Sequence, residues 1–392
     1  MNEPKLRFKA DDGSQFPDWK EKKLGDISER ILVGLATTVT PYYRKKGRPM
    51  FRNLNIKQGY LDDRDMLFLD DDYADSQKNK TIHFGDILTV HTGNIGWSCL
   101  VPEKYEGALS FTTLITTVKS NVVSNKYVCA FLNSSLGMNR MQNLAFSGGR
   151  ANLNTSEFQK VQVPVPCLPE QQKIAEFLST IDTVIAKQKE TVSAWEERKK
   201  GVMQKLFSQE VRFKADDGSE FPDWEEKKLG DVADVKVGEK PTLVSDNAAY
   251  EYVNAGTTNS GYVDSYNCDG DTVTTPSRGQ GGIGYVGYQK HEFWLGPLCY
   301  KIKSNKDDVL TKFMYYALSF DSKKIVDLKK VGTIPAINRA DLIELYMNFP
   351  CLAEQQKIAD CLSSLDEVIE KQKATLAAWE ELKKGLLQQM FA

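Results

Sequence analysis

The sequence predicts an α/β protein of the α+β type: two mixed α/β domains joined by two long helices, in a tandem repeat with approximate two-fold symmetry. Residues 7–26 return at 212–231 with 18 of 20 positions identical, and residues 167–207 return at 351–391 with 26 of 41 identical. The residues between these repeats are rich in Val, Ile, Thr and Tyr and are interrupted by Gly, Asn and Asp, which is typical of strands and turns. The second repeat has the apolar spacing of a long helix.

The helical repeat carries apolar residues at alternating intervals of four and three, the period of a coiled-coil seam. Pro169 suits the first helical turn, where an N–H is not needed. Gln188 and Lys199 interrupt one seam, and Gln372 and Lys383 interrupt the other at equivalent positions, so we interpret them as register-setting residues. We predict antiparallel pairing of the two helices; parallel pairing and separate packing of each helix on its own domain are the alternatives. The predicted seam consists of Ile174, Leu178, Ile181, Ile185, Val192, Trp195, Val202, Leu206, Ile358, Leu362, Leu365, Ile369, Leu376, Trp379, Leu386 and Met390.

The two segments between the repeats predict one fold with different loops. GDILTVHTGNIGW at 85–97 resembles GDTVTTPSRGQGGIGY at 270–285, and both contain G-x-I-G followed by an aromatic residue. We expect a curved, largely antiparallel sheet in each segment, with later helices over Asn125–Met141 and Val309–Leu328.

Composition places the chain among globular proteins of two or three domains. It has 392 residues, 41% hydrophobic and 27% charged, and a net charge of −2. No apolar stretch suggests a signal peptide or membrane span, and the seven cysteines show no CxxC spacing, so we expect a reduced, cytoplasmic chain. The net charge argues mildly against nucleic-acid binding, but residues 30–166 carry sixteen Lys and Arg against eleven Asp and Glu.

No catalytic or metal-binding motif survives inspection. The G-x-G-x-x-G of Gly279–Gly284 is followed by a strand-like segment instead of the helix that a dinucleotide loop requires. Three histidines occur without HExxH or a Cys/His cluster, so no metal is expected. The PDWEEK segment at 222–227 faintly resembles the acidic and lysine residues of a nuclease, but we interpret it as a turn. Recognition and scaffolding are therefore favoured over enzymatic activity.

The repeated motifs resemble one known family. V-P-x-P-C-L-x-E-Q-Q-K-I-A at 163–175 and F-P-C-L-A-E-Q-Q-K-I-A at 349–359 precede the two helices, and K-K-L-G-D occurs at 22–26 and 227–231. Together they resemble the DNA-specificity subunit of type I restriction–modification systems, over essentially the whole chain. The rival hypotheses are a coiled-coil interaction scaffold that binds no nucleic acid and an autonomous enzyme.

The resemblance implies target recognition domains at 1–166 and 209–350, and conserved coiled-coil helices at 167–208 and 351–392. Each domain would read one half of a bipartite, non-palindromic site in double-stranded DNA. The helices would set the half-site spacing and dock two methylation subunits, which methylate adenine with S-adenosylmethionine. Systems with restriction activity would add two translocating restriction subunits that use ATP and Mg. The chain itself would be no enzyme and would hold no cofactor or metal, and no membrane is implied.

The candidate DNA-binding residues are basic, amide and hydroxyl side chains in predicted loops. Lys and Arg pair with phosphates, whereas Arg and Asn can also bind base edges. We expect the acidic run at 70–75 to face away from DNA. The candidates are Tyr42, Tyr43, Arg44, Lys45, Arg48, Arg52, Asn94, Arg150, Asn152 and Asn154 in the first domain, and Lys240, Thr257, Thr258, Asn259, Ser277, Arg278, Gln280, Asn338 and Arg339 in the second.

Overall fold

The computed structural model contains two compact units. Unit 1 comprises residues 1–189 and 374–392, and unit 2 comprises residues 190–373. Each unit therefore contains one predicted globular domain together with parts of both long helices. The structure describes residues 4–146, 152–279, 281–305, 307–330, 332 and 334–391.

Unit 1 is built mainly from short strands. Its strands are β1 (Lys20–Lys23), β2 (Ser28–Val33), β3 (Tyr43–Arg44), β4 (Arg48–Arg52), β5 (Ile56–Lys57), β6 (Tyr60–Leu61), β7 (Leu67–Leu69), β8 (Ile87–Val90), β9 (Ser98–Leu100), β10 (Leu109–Phe111), β11 (Thr113–Val118) and β12 (Gln162–Val165). The helices that begin in it are α1 (Asp71–Ser76), α2 (Asn125–Asn133), α3 (Ser135–Ala145), α4 (Thr155–Phe158) and α5 (Leu168–Phe207).

The strands of unit 1 form two four-stranded sheets and two separate two-stranded pairs. One sheet is antiparallel, with the order β2-β11-β8-β9. The other has the order β10-β4-β7-β3 and contains one parallel pair, β10 with β4. The remaining pairs are β1 with β12 and β5 with β6.

Unit 2 repeats this plan with fewer strands. Its strands are β13 (Glu225–Lys228), β14 (Ala233–Val237), β15 (Tyr250–Val253), β16 (Tyr262–Val263), β17 (Thr272–Pro276), β18 (Gly287–Gln289), β19 (Trp294–Leu295), β20 (Cys299–Ser304) and β21 (Tyr346–Phe349). The helices that begin in it are α6 (Leu229–Val232), α7 (Thr311–Phe320), α8 (Ser322–Asp327), α9 (Arg339–Ile343) and α10 (Leu352–Met390).

Equivalent sheets in the two units confirm that both domains have one fold. The antiparallel order β14-β20-β17-β18 corresponds to β2-β11-β8-β9, and β13 pairs with β21 as β1 pairs with β12. The parallel pair β15 with β19 corresponds to β4 with β10. The domains differ because unit 1 adds β3 beside β7 and a separate pair of strands, β5 with β6.

The helical stretches expected in the later part of each domain are confirmed, and each contains two helices. Residues 125–141 belong to two helices, α2 and α3, and residues 309–328 belong to α7 and α8. In unit 1 the break lies at Ser134, whose backbone is extended (φ −71°, ψ 160°). The Ser134 hydroxyl accepts a hydrogen bond from the Gly137 N–H and caps α3, so a local side-chain bond ends one helix and begins the next.

The long helices α5 and α10 are antiparallel within each unit, as predicted. In unit 1, Asp182 pairs with Lys383 at 2.5 Å and Lys189 pairs with Glu380 at 2.8 Å. Residue numbers therefore rise along α5 where they fall along α10, as in antiparallel helices. Unit 2 repeats both ion pairs at the equivalent positions: Lys199 with Asp366 at 2.5 Å, and Glu196 with Lys373 at 2.6 Å. The seam lysines Lys199 and Lys383 thus bind carboxylates of the facing helix.

Each domain packs on the start of one long helix and the end of the other. The core of unit 1 includes Ile174 of α5 together with Met390 and Phe391 at the end of α10. The core of unit 2 includes Ile358 of α10 and Leu206 of α5. The alternative in which each helix packs only on its own domain is therefore wrong.

All residues of the predicted seam are buried or half-buried. The burial is deepest near the domains, where Leu362 and Met390 have no exposed surface. Leu387, which was outside the predicted seam, is 8% exposed and joins the core of unit 1.

Within the described residues, no helix is long and apolar enough to cross a membrane. All seven cysteines are free thiols.

Candidate DNA interface

A buried ion pair anchors each domain to the start of a long helix. In unit 1 the Arg7 guanidinium donates to both carboxylate oxygens of Glu170, at 3.0 and 2.9 Å, and the Trp19 indole N–H donates to the same group at 3.0 Å. In unit 2 Arg212 and Trp224 bind Glu354 in the same way, at 3.1, 2.7 and 3.2 Å. These contacts explain why the repeat at 7–26 and 212–231 varies so little: it contains the arginine and tryptophan of this joint.

The glutamine after each buried glutamate makes a second contact between the long helix and the domain. Gln171 Oε1 accepts from the Ser124 N–H at 2.8 Å, and Gln355 Oε1 accepts from the Leu310 N–H at 2.9 Å. Both bonds fall at the start of a domain helix, α2 or α7. The E-Q pair of the repeated motif therefore fixes each domain on its long helix.

Three loops of unit 2 contact one another, and we name them L1 (254–260), L2 (277–279 and 281–286) and L3 (334–338). L1 lies tightly against L2, because a Cβ placed on Gly282 would collide with the Ala255 carbonyl oxygen. L2 binds L3 through two backbone bonds, from the Gly279 N–H to the Pro335 carbonyl at 3.1 Å and from the Ile337 N–H to the Ser277 carbonyl at 2.9 Å. The loops thus form one surface.

The predicted contact residues of unit 2 concentrate on this surface. Thr257, Thr258 and Asn259 are exposed in L1, Arg278 is exposed in L2, and Asn338 is exposed at the end of L3. Amide, hydroxyl and guanidinium groups at one surface provide both donors and acceptors for base edges. Ser277 departs from the prediction, since it is 5% exposed and its backbone joins L2 to L3.

Two polar contacts position L3 and the helix α9 that follows it. The Tyr300 hydroxyl donates to the Ile337 carbonyl at 3.0 Å, and burial raises the pKa of Tyr300, so it remains a donor near neutral pH. Arg339 is exposed but donates to the Val235 carbonyl at 2.6 Å, which ties α9 to β14. Lys240 is exposed in the loop after β14.

Unit 1 brings the equivalent loops together with different chemistry. Its L1 (53–55), L2 (91–97) and L3 (152–154) meet through the Asn53 amide, which donates to the Thr92 hydroxyl at 3.0 Å, and through His91 Nδ1, which lies 2.9 Å from Asn152 Oδ1. The Leu153 N–H also donates to the His91 carbonyl at 3.0 Å. The predicted residues Asn94 and Asn152 are exposed on this surface.

The sequence prediction missed Asn53, His91 and Thr92. Asn53 Oδ1, His91 Nε2 and Arg52 Nε are buried atoms without a hydrogen-bond partner within the described residues. In unit 2 the matching Asn254 Oδ1 accepts from the Leu298 N–H at 2.9 Å, so the same asparagine is satisfied there. The sequence could have indicated Asn53, because an asparagine follows the matching strand in both copies, Asn53 after β4 and Asn254 after β15.

The basic segment of unit 1 forms ion pairs with the acidic run at 70–75. Arg44 pairs with Asp70 at 3.0 Å, and Arg48 pairs with Asp75 at 3.2 Å and Asp71 at 3.6 Å. The acidic run therefore lies against the basic segment and neutralises part of its charge.

The other residues of this segment are more accessible. Tyr42 stacks on Tyr73 with ring centroids 3.8 Å apart, while Tyr43, Lys45 and Lys46 are exposed. Lys45 and Lys46 have no ion-pair partner in the part of the chain that the structure describes.

Two further candidates have structural partners, and two lie outside the described residues. Asn154 caps α4, since its Oδ1 accepts from the Glu157 N–H at 2.9 Å. Arg52 is half-buried and donates to the Asp65 carbonyl at 2.9 Å. The candidates outside the described residues are Arg150 and Gln280.

No group of three or more potential metal ligands occurs in the described residues. The PDWEEK turn contributes no cluster either: the Asp223 side chain is fully exposed and pairs loosely with Arg212 at 3.7 Å. Trp224 of the same turn packs on the core of unit 2 and binds Glu354. These contacts assign the turn to the joint.

Comparison with known proteins identifies one family. The family model described as the type I restriction modification DNA specificity domain matches residues 17–193 and 222–378. A putative type I restriction enzyme MjaX specificity subunit from Methanocaldococcus jannaschii is 27% identical over 405 residues, covering 97% of this chain and 94% of the relative. The MjaVIII specificity subunit of the same organism is 25% identical over 417 residues, with coverage of 97% and 94%.

A solved structure has the same fold. The crystal structure of a type-I restriction-modification system S subunit from M. genitalium superposes with a TM-score of 0.64 at 17% identity, covering 100% of this chain and 99% of that one.

Proposed function

The chain belongs to the type I restriction–modification DNA specificity family, and from that premise we propose how it works as the DNA-recognition subunit of such a complex. Each domain reads one half of a bipartite, non-palindromic site. The paired helices set the distance between the halves. The alternative of a scaffold that binds no nucleic acid is not favoured, because the family is defined by DNA specificity.

One observation supports recognition of a different DNA half-site by each domain. Both units hold the same three loops on the same sheet frame, yet the loops carry different side chains: His91, Thr92 and Asn94 in L2 of unit 1, and Ser277 and Arg278 in L2 of unit 2. A shared frame with different polar groups fits two half-sites of different sequence, since the major groove presents distinct donors and acceptors for each base pair.

We propose that the exposed loop residues contact bases and that the lysines at the domain edge contact phosphates. Arg278 is suited to guanine O6 and N7, and the asparagines to adenine N6 and N7. Lys45 and Lys240 are exposed cations suited to phosphate oxygens. The other predicted contact residues remain candidates, except those that have structural contacts within their own unit, which are Arg44, Arg48, Arg52, Asn154 and Ser277.

The proposed partners follow from the family. Domains 1–166 and 209–350 face DNA, and helices 167–208 and 351–392, with the predicted seam between them, dock two methylation subunits. Those subunits supply S-adenosylmethionine and methylate adenine. Two restriction subunits, where the system has them, supply ATP- and Mg-dependent translocation. The chain itself binds DNA without catalysing a reaction.

The test is methylation mapping of a host that expresses this chain with its methylation subunits. We expect methyladenine in one bipartite motif whose two halves differ. Exchange of residues 30–162 for those of a relative should alter one half only, and exchange of residues 234–346 should alter the other. A motif in which both halves change after either exchange would contradict independent reading.

A further inference from the structure

A tyrosine of the domain in unit 2 binds the seam ion pair of the long helices. The Tyr316 hydroxyl of α7 donates to Asp366 Oδ2 at 2.6 Å, while Lys199 pairs with the other oxygen of that carboxylate. Lys199 Nζ also lies 5.2 Å from the centroid of the Tyr316 ring. Tyr316 has no exposed surface. The domain therefore makes a directional contact with both helices at a single point.

The domain in unit 1 reaches the equivalent place on its helices by another route. The hairpin β5–β6 places Tyr60 beside α5, with Lys189 Nζ 5.5 Å from the centroid of the ring. Lys189 in turn pairs with Glu380 of α10. A Cβ on the neighbouring Gly59 would lie 3.4 Å from Lys383 Nζ, which belongs to the seam pair with Asp182.

The two contacts involve neighbouring ion pairs of the repeat and different domain residues: Lys189, which Tyr60 contacts, is the counterpart of Lys373, whereas Tyr316 contacts Lys199 and Asp366. Lys383 and Asp182 are the counterparts of Lys199 and Asp366 in the internal repeat. The Gln171 and Gln355 bonds align α2 with α7, and this alignment places Ala130 where unit 2 has Tyr316. Ala130 cannot form the bond. Each domain therefore has its own contact to an ion pair between the two helices of its unit.

We propose that Tyr316 and Tyr60 are positioning residues that brace each recognition domain against its paired helices and so restrict the spacer lengths that the complex accepts. This inference rests on the proposed function. Apolar cores hold the domains on the helices, but apolar packing is non-directional. A hydrogen bond weakens steeply when its angle departs from linearity, so it resists rocking of the domain.

The experiment measures binding of the complex with its methylation subunits to duplexes that carry the mapped half-sites. The spacer has the mapped length, or one base pair more or less. A Tyr316→Phe variant removes only the hydroxyl, and Tyr266→Phe, at an exposed tyrosine of the same domain, makes the same chemical change away from the brace. We expect Tyr316→Phe to reduce spacer discrimination by about tenfold, the equivalent of one hydrogen bond to a charged group, and Tyr266→Phe to leave it unchanged.

Tyr60 gives a second variant that does not threaten folding, since its side chain is 51% exposed. Tyr60→Leu removes the aromatic face and should reduce spacer discrimination roughly two- to fivefold, as expected for an exposed cation–π contact. Tyr60→Phe keeps the face and should match the wild type.

Retention of wild-type spacer discrimination in both Tyr316→Phe and Tyr60→Leu would overturn the inference. So would a uniform loss of affinity for all three spacers, because that result indicates stability alone. Binding to a duplex with a single half-site should be unchanged in every variant, and a loss there would also overturn the bracing role. A wild-type complex that does not prefer the mapped site over random duplex would instead refute the proposed function itself.

Discussion

The Arg212 guanidinium donates two hydrogen bonds, at 3.1 and 2.7 Å, to a Glu354 carboxylate that has no exposed surface. Arg7 makes the same pair of bonds to Glu170 in unit 1. A carboxylate buried at this depth needs its partner, because an isolated buried charge is strongly disfavoured. The joint between domain and helix therefore depends on one arginine in each unit.

Replacement of Arg212 by alanine should strongly destabilise unit 2. The change leaves Glu354 buried without its cation, and loss of one partner of a buried pair typically costs about 3–5 kcal/mol. Chemical denaturation followed by circular dichroism measures the loss. The matched control is Lys214→Ala, which removes an exposed ion pair with Glu220 and should leave the stability nearly unchanged. Equal effects of the two variants would contradict the role of the joint.

The ion pair between Asp182 and Lys383 should tolerate an exchange of the two charged residues, but not two like charges at these positions. Lys383→Asp replaces the cation opposite Asp182 with a second carboxylate, and we expect a loss of about 1 kcal/mol for this partly exposed pair. The double variant with Asp182→Lys should recover most of that loss. Denaturation of the two single variants and the double variant gives the coupling energy. Additive losses would show that the pair does not set the register.

The repeat, the long helices and the shared fold could be predicted from the sequence, because each corresponds to a periodic or duplicated pattern of residues. The 4–3 spacing of apolar residues predicted α5 and α10, and the approximate two-fold symmetry of the tandem repeat favoured their antiparallel pairing. The helix break at Ser134 was not visible in this way, because one serine hydroxyl caps α3 where the apolar pattern continues.

The candidate interface was predicted less well, because side-chain type does not reveal a side chain's partner. Arg44 and Arg48 appear in the sequence as free cations, but folding brings the acidic run against them. His91 and Asn53 belong to the candidate interface because they form contacts between loops that are far apart in sequence. Such long-range contacts follow from topology, which the local pattern does not encode.

The stability contributed by Tyr316 should disappear at alkaline pH. Burial and then the bond to Asp366 raise the pKa of Tyr316 above its ordinary value of 10.0. A group with a raised folded-state pKa contributes fully below the unfolded pKa, and its contribution falls as pH rises toward the folded value. The unfolding free energy of the wild type minus that of Tyr316→Phe should therefore be constant below about pH 10 and fall by about 1.4 kcal/mol per pH unit above it. A difference that stays constant up to about pH 11.5 would contradict this assignment, and other titrating groups cancel in the subtraction.

The salt dependence of DNA binding should separate the free lysines from the paired arginine of the basic segment. The variant with both Lys45→Ala and Lys46→Ala should lower the slope of log K against log salt by about 0.9 for each phosphate that is no longer neutralised. Arg48→Ala should change that slope little, because Arg48 already pairs with Asp71 and Asp75, and its main effect should be lower stability of unit 1. Titrations of the complex at several salt concentrations measure the slopes. A large slope change in Arg48→Ala alone would reverse the assignment.

Asn154 and Asn338 precede equivalent short helices and should respond differently to the same substitution. Asn154 caps α4 through its bond to the Glu157 N–H, whereas the Asn338 side chain makes no capping bond on α9. Asn154→Ala should therefore cost about 0.5–2 kcal/mol of stability and leave sequence preference intact, as measured by denaturation and by binding to single-base variants of the site. Asn338→Ala should leave stability nearly unchanged and, if its exposed amide contacts a base, weaken discrimination at one position by about 1–3 kcal/mol. The opposite pattern, with Asn154→Ala altering base preference, would restore Asn154 as a reading residue and assign the capping contact to the free protein only.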